Sequence, residues 1–420
     1  MKEKILSILL LLSFIAAANE TVGVIKVQNT EAFLKKCSLF LSKASPSNAR
    51  YFDLVVSPNI VTLEVSPLNL KLPVTAYLYF SNNKLQPVVF CTLLQGKRPK
   101  TIPFLPGQNL VPEIRSNRQV VFADPKFKPQ VKDLQEDTIK LPQKLIAGQY
   151  FFRDRGKIAG RAGYGSDLAG FVSTEFSKIS FTADFPAEDL LNIDMELEAK
   201  KTSGLFQLSN KNRRRIPAPF MLANPEYYCS LTFPADQSAA NWIILFFSEV
   251  NPDFANDEQI YGCFLHSVVT EEHATAITIS KEQDFYLLSG ILPADKKEHF
   301  ENFLKTHGDS SNGKIYRFHN SSGSNVYVMI TENRANLLIR KQTINEQRVT
   351  QTFRSMQPAV IPLGERTFLS AAIRKNDGTY QQILTGTMAN GKFRFIANLP
   401  PVAVIHTIPD LLGGEDLFQE

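Results

Sequence analysis

The sequence is short of the residues that announce common chemistries. Its 420 residues include only 4 cysteines, 6 histidines and 1 tryptophan, so few positions are open to metal, redox or imidazole chemistry. No C-x-x-C occurs, which removes zinc knuckles and thioredoxin-type redox pairs. No G-x-S-x-G pentapeptide is present, because "GYGSDLAG" (163–170) puts Gly165 directly before Ser166 and lacks the second flanking glycine. "GRAGYGS" lacks the G-x-G-x-x-G spacing of a dinucleotide loop. Four Gly-Lys pairs begin at Gly96, Gly156, Gly313 and Gly391, and none continues into the Ser or Thr of a phosphate loop. H-E-x-x-H is missing as well. Past the N-terminus the strongest apolar run, "WIILFF" (Trp242–Phe247), falls far below the ~20 residues that a spanning helix needs. These absences leave no expected cofactor or bound metal and no transmembrane segment after residue 18.

What is present begins with "MKEKILSILLLLSFIAAANE". Lys2 and Lys4 give a positive start, Ile5–Ile15 an apolar run, and Ala16-Ala17-Ala18 a small-residue cleavage site. That arrangement predicts a secretory signal over 1–18 and an exported protein, periplasmic or extracellular. The remaining chain of about 400 residues is long enough for two or three domains. A hydrophobic fraction of 44% with 31 Phe supplies packed cores and argues against disorder.

The formal charge of +5 is unevenly spread. Residues 97–132 hold Lys97, Arg98, Lys100, Arg115, Arg118, Lys126, Lys128 and Lys132 against Glu113 and Asp124. Residues 200–215 hold Lys200, Lys201, Lys211, Arg213, Arg214 and Arg215 with no acid. Such runs are ordinary solvated faces or, on the sharper reading, contacts for a polyanion such as an envelope polymer or lipid headgroups. The polyanion strip is then Lys97, Arg98, Lys100, Arg213, Arg214 and Arg215. Nucleic acid is not the expected partner, because the chain carries an export signal and no recognisable binding module. A protein partner is the other possibility. The four cysteines pair within halves as Cys37–Cys91 and Cys229–Cys263, or remain four buried thiols.

Several stretches echo one another. "VIKVQNTEAFLKKCSLFL" runs from a strand into a helix near Asn29 or Thr30, with Phe33, Leu34, Cys37, Phe40 and Leu41 on one face. "CSLTFPADQSAANWIILFF" does the same with Asp236 as cap, about 206 residues later. "VTAYLYF" (74–80) and "ATAITIS" (274–280) are offset by 200, the turns at Asn117 and Asn333 by 216, and Gly156 and Gly378 by 222. Four correspondences in one order predict a diverged tandem duplication. The expected organisation is a first repeat over 19–215, a Pro-rich linker over 216–225, and a second repeat over 226–420. Alternation in "IDMELEAK" (193–200) predicts a strand with one buried face, and Asp377-Gly378 and Asn390-Gly391 predict hairpin turns needing positive φ. The fold class is α+β: in each half, a mostly antiparallel sheet with helices packed on one face.

All six histidines lie in the later half: His266, His273, His299, His307, His319 and His406. His273 follows Glu271 and Glu272, a trio suited to a metal or to proton transfer. "DKKEH" (295–299) resembles the H-x-x-E-H signature of the inverted zinc metallopeptidases, with Asp295 where that signature has its first His. Those peptidases are likewise built from duplicated α+β halves. The resemblance covers five residues and implies a zinc site that has lost an imidazole. Helix periodicity also accounts for the stretch, with Phe300, Phe303 and Leu304 buried and Asp295 capping the start. The sequence therefore points first to an exported, non-enzymatic binding or scaffold module. The alternative is an exported hydrolase, or a catalytically decayed metallopeptidase-like protein, with its site near Glu271, Glu272, His273 and His299.

Overall fold

The structure is a computed structural model describing residues 20–44, 46–51, 68–81, 84–94, 102–105, 108–115, 119–125, 141–152, 166–211, 218–250, 252–310, 313–319, 324–340, 345–359 and 366–404. The expected signal over 1–18, Asn117 and Gly156 lie outside those residues. The chain mixes helix and strand, and every strand pairing named below is antiparallel. It divides into two compact units: Met1–Arg161 with Val172–Glu198 and Ala397–Ile405, and Ala162–Phe171 with Ala199–Ile396 and His406–Glu420. Among the described residues no helix is long and apolar enough to cross a membrane.

The first unit contains strands β1 (Glu20–Val27), β2 (Val74–Ser81), β3 (Lys84–Thr92), β4 (Ile102–Leu105), β5 (Gln108–Ile114), β6 (Gln119–Ala123), β7 (Ile146–Phe151) and β8 (Phe176–Ala187). They pair in the order β8-β7-β1-β2-β3-β6-β5-β4. Helix α1 (Thr30–Ala44) follows β1 and is capped by Asn29, whose Oδ1 accepts from the Ala32 N–H at 2.8 Å. Its buried Leu34 and Phe40 fit the expected apolar face, and Phe40 meets Phe185 of β8 edge-on at 5.4 Å. Val121 and Ala123 pack into one core cluster and Val120 and Phe122 into another, so β6 is covered on both faces.

The second unit contains β10 (Phe220–Met221), β11 (Tyr227–Phe233), β12 (Thr275–Glu282), β13 (Phe285–Ile291), β14 (Asp309–Ser310), β15 (Ile315–His319), β16 (Asn325–Thr331), β17 (Arg334–Arg340), β18 (Gln357–Pro358), β19 (Thr367–Arg374) and β20 (Tyr380–Ala389). Its main sheet runs β20-β19-β11-β12-β13-β17-β16-β15-β14. Helix α2 (Gln237–Val250) follows β11 under the cap of Asp236, which accepts from the Ser238 N–H at 2.9 Å. Helices α3 (Ile260–Val268), α4 (Ala294–His307) and α5 (Glu346–Ser355) complete the set that bears on the site below.

Here the expectation of helices on one face is corrected. Val268 and Phe264 of α3 press against Gly290, while Val349 and Phe353 of α5 pack on Leu287 and Leu338. Gly290 and Leu287 point to opposite sides of β13, so this sheet carries helices on both faces. The physical reason is visible in the near-continuous apolar character of "FYLLSGI" and "ANLLI", which belongs to strands covered twice.

The face beneath α5 also holds a feature that local pattern did not announce. Ser370, Ser230, Thr278, Ser289 and Asn336 stand directly opposite one another across five strands. All are at most 1% exposed. Ser230 and Thr278 hydroxyls bond at 3.0 Å, Ser289 Oγ donates to Asn336 Oδ1 at 2.8 Å, and Gln382 Nε2 donates to Ser370 at 2.9 Å. The described part of the Pro-rich stretch lies across this row. Phe220 and Leu222 N–H groups donate to Ser289 and Ser280 Oγ, each at 3.1 Å. Arg334 holds the same segment, stacking 4.4 Å above the Phe220 ring and donating to the Ala218 carbonyl at 3.3 Å.

Smaller expectations fare unevenly. Asn390 and Gly391 take φ of 52° and 76°, as a two-residue hairpin turn requires. At the other turn only Gly378 is left-handed, at φ 83°, while the Asp377 carboxylate accepts from the Thr379 N–H at 2.9 Å. The strand "IDMELEAK" forms as β9 (Leu190–Ala199), but its residues are half-buried along almost the whole length, without the predicted alternation.

Candidate functional site

None of the six basic residues of the expected polyanion strip can be placed: Lys97, Arg98, Lys100, Arg213, Arg214 and Arg215 all lie outside the described residues. Their neighbour Lys211 is described, and it is not a free charge. Its ammonium lies 2.8 Å from the Asp236 carboxylate that caps α2.

Five of the six histidines are among the described residues. His273 ends the short loop that enters β12, and its N–H donates to Thr270 Oγ1 at 3.1 Å. Asp295 sits in the first turn of α4, after β13 has carried the chain back. The hairpin thus brings together residues 22 positions apart, and His273 Nε2 meets Asp295 Oδ1 at 2.8 Å. The carboxylate of Glu272 joins them, the three ligand atoms lying within 4.8 Å of one another. This corrects the reading of Asp295 as a helix cap: the N-cap position is Pro293, with no side-chain cap bond, and the carboxylate turns to the imidazole. Asp at this position still suits the positive end of the helix. Glu271 is exposed and outside the cluster, and so is His299, one turn after Asp295 on α4.

The remaining histidines go elsewhere. His266 pairs with Asp257 at 2.9 Å, a contact the sequence gave no sign of. His307 stacks on Phe303 at 4.8 Å, His319 is exposed, and His406 lies outside the described residues. The His273–Asp295 pair is about half exposed, so as an ion pair it contributes no more than ~1 kcal/mol to stability. Its interest is chemical: one imidazole and two carboxylates converge on a small volume.

The four cysteines are free. Burial pushes the thiols of Cys37, Cys91 and Cys229 up to about 12 and that of Cys263 up to about 11. They are therefore protonated, poor nucleophiles at neutral pH. A thiol-reactive dye added at pH 8 is expected to label none of them rapidly in the folded protein and all four after unfolding without reductant. Fewer than four on unfolding would mean disulfides. The same shifts give a sign for pH: the unfolded chain loses these protons from its ordinary value of 9.0, the folded chain near 12, so stability falls as pH climbs between those limits. Trp242 packs edge-on against Phe233 at 5.3 Å and Phe368 at 6.2 Å, which is a packing role.

Comparison with known proteins adds little. No family model matches the chain, and no curated protein matches it. Two crystal structures of TP0453, crystal forms I and III, align with 80% of this chain and with 95% and 96% of their own. They are 8% and 9% identical to it, with TM-scores of 0.17 and 0.18, too low to carry an argument.

Proposed function

We propose that this chain is an exported, non-enzymatic binding or scaffold module built from two diverged copies of one α+β unit. One observation carries the duplication: the strand order β8-β7-β1-β2-β3-β6-β5-β4 recurs, element for element, as β20-β19-β11-β12-β13-β17-β16-β15. In each set the third strand, β1 or β11, leads into a helix capped by a side-chain oxygen, the Asn29 amide or the Asp236 carboxylate. A shared order of eight strands, visited in the same chain order, is what two copies of one unit would retain. The export reading rests on the signal-like pattern of residues 1–18.

The partner in this reading is an anionic envelope polymer, met by Lys97, Arg98, Lys100 and Arg213, Arg214, Arg215. The test uses residues 19–420 and polyphosphate as the probe. Replacing the three arginines by serine is expected to cost ~3 kcal/mol, roughly 100-fold in affinity, at about 1 kcal/mol for each cation near an anionic surface. It also flattens the dependence of binding on salt. Binding that is unchanged in strength and salt dependence removes the strip from the account. The convergence of Glu272, His273 and Asp295 favours a second reading, a hydrolase or a decayed relative of one, for which those three residues would be the remnant of the site.

A further inference from the structure

We propose that Glu272, His273 and Asp295 form a binding site for one divalent transition-metal ion, with Zn2+ as the probe that reveals it. The inference does not depend on polyanion binding or on the duplication. It starts from ligand chemistry. One imidazole nitrogen and two carboxylates are hard-to-borderline donors, and the imidazole selects Zn2+, Ni2+ or Co2+ over Mg2+ and Ca2+, which favour oxygen alone.

Distances decide whether these atoms can share an ion. Zinc bonds to His and carboxylate atoms are about 2.0–2.2 Å in a tetrahedral array, so two ligand atoms on one ion stand ~3.4 Å apart. The three atoms here lie within 4.8 Å of one another, and His273 Nε2 and Asp295 Oδ1 are at 2.8 Å. That pair has to open by about half an ångström, and no separation has to close by more than ~1.4 Å. Glu272 and Asp295 are exposed and His273 is half-buried, so small rotations of exposed side chains suffice.

The backbone is held while the side chains adjust. Thr270 fixes the loop through the His273 N–H, and Asp295 belongs to a helix anchored by the fully buried Phe300 and Leu304. His299, four residues after Asp295, lies on the same side of α4 but outside the cluster, so water completes the coordination. One group opposes a cation: Lys296 Nζ is 3.9 Å from Asp295 Oδ2. Its flexible chain can carry that charge into water at small cost, so it weakens the site without closing it. A bound ion would tie the loop ahead of β12 to the first turn of α4, two segments joined here by the His273–Asp295 contact.

The structure supplies its own control, since His266 and Asp257 make a similar pair at 2.9 Å with no third ligand among the described residues. Tag-free residues 19–420, stripped with chelator and dialysed, would be titrated with ZnCl2 in a calorimeter. The expected result is one saturable site, at least about tenfold weaker in His273→Ala and in Asp295→Asn, because losing a direct ligand costs no less than losing an outer partner. His266→Ala should bind like the parent chain, and MgCl2 should not compete. The proposal is overturned by the absence of saturable Zn2+ binding, or by binding that survives both His273→Ala and Asp295→Asn. All three positions are at least partly exposed, so the variants should fold.

Discussion

Replacing Gly262 by alanine is expected to destabilise the second unit by ~3 kcal/mol or more, despite the ~1 kcal/mol that alanine adds to helix propensity. A methyl group there would stand 2.0 Å from the Asn256 carbonyl oxygen and 2.4 Å from its carbon. Both are backbone atoms, so no rotamer change relieves the overlap, and the helix itself must move. It cannot move freely, because Ile260, Tyr261, Cys263, Phe264 and Leu265 are all buried around it. Gly313→Ala is the matched control. That glycine has φ of 67° with nothing within 4 Å of an added methyl, so only the left-handed backbone is strained, at a cost of ~1–2 kcal/mol. Urea unfolding of the three proteins gives the comparison. If Gly262→Ala proves no more destabilising than Gly313→Ala, the close contact between α3 and the turn at Asn256 is wrong.

The second large effect is expected at Asn336. Its Nδ2 donates to the Met329 carbonyl at 3.1 Å and to Thr331 Oγ1 at 2.7 Å, while Oδ1 accepts from Ser289. Asn336→Leu keeps the branched four-atom shape and deletes every one of these bonds at a site with no exposure. The Ser289 hydroxyl then has no acceptor there, and the expected loss is ~3 kcal/mol, since each orphaned buried group costs about 1–3 kcal/mol. Ser289→Ala attacks the same network from the other end and also leaves the Phe220 N–H unpaired. Two readouts separate this account from simple loss of packing. In a double-mutant cycle the two substitutions should be less than additive by ~1 kcal/mol or more, as for residues sharing one network. In Ser289→Ala, the Phe220 amide should exchange with solvent much faster than that of Leu222, which keeps its bond to Ser280. Additive costs with unchanged exchange would mean that the polar row does not hold the crossing segment.

These two sites show what local reading captures. The segments "VTAYLYF" and "ATAITIS", matched at an offset of 200, both form strands that pair antiparallel with the strand that follows. The helix caps at Asn29 and Asp236 also form, because a cap is settled by atoms within three residues of itself. Asp295 shows the limit. A carboxylate at the start of a helix reads as a cap, and the competing imidazole of His273 lies on the far side of a hairpin, where no periodicity points to it. The buried alignment of Ser370, Ser230, Thr278, Ser289 and Asn336 was equally invisible, since single polar residues in apolar strands acquire a partner only once register is set.

By itself, then, the sequence determined the α+β character, the apolar face of α1, the positive-φ turn at Asn390-Gly391 and the absence of the common catalytic signatures. Each of these depends on residues a few positions apart, governed by backbone sterics and hydrophobic period. Only the tertiary structure decided that the second unit's sheet is covered on both faces. It alone laid the Pro-rich segment across Ser280 and Ser289, and it alone set Glu272, His273 and Asp295 around one point. Those outcomes depend on strand register and on which faces meet. Burial free energy summed over a whole sheet settles both, and no short stretch of chain contains that sum.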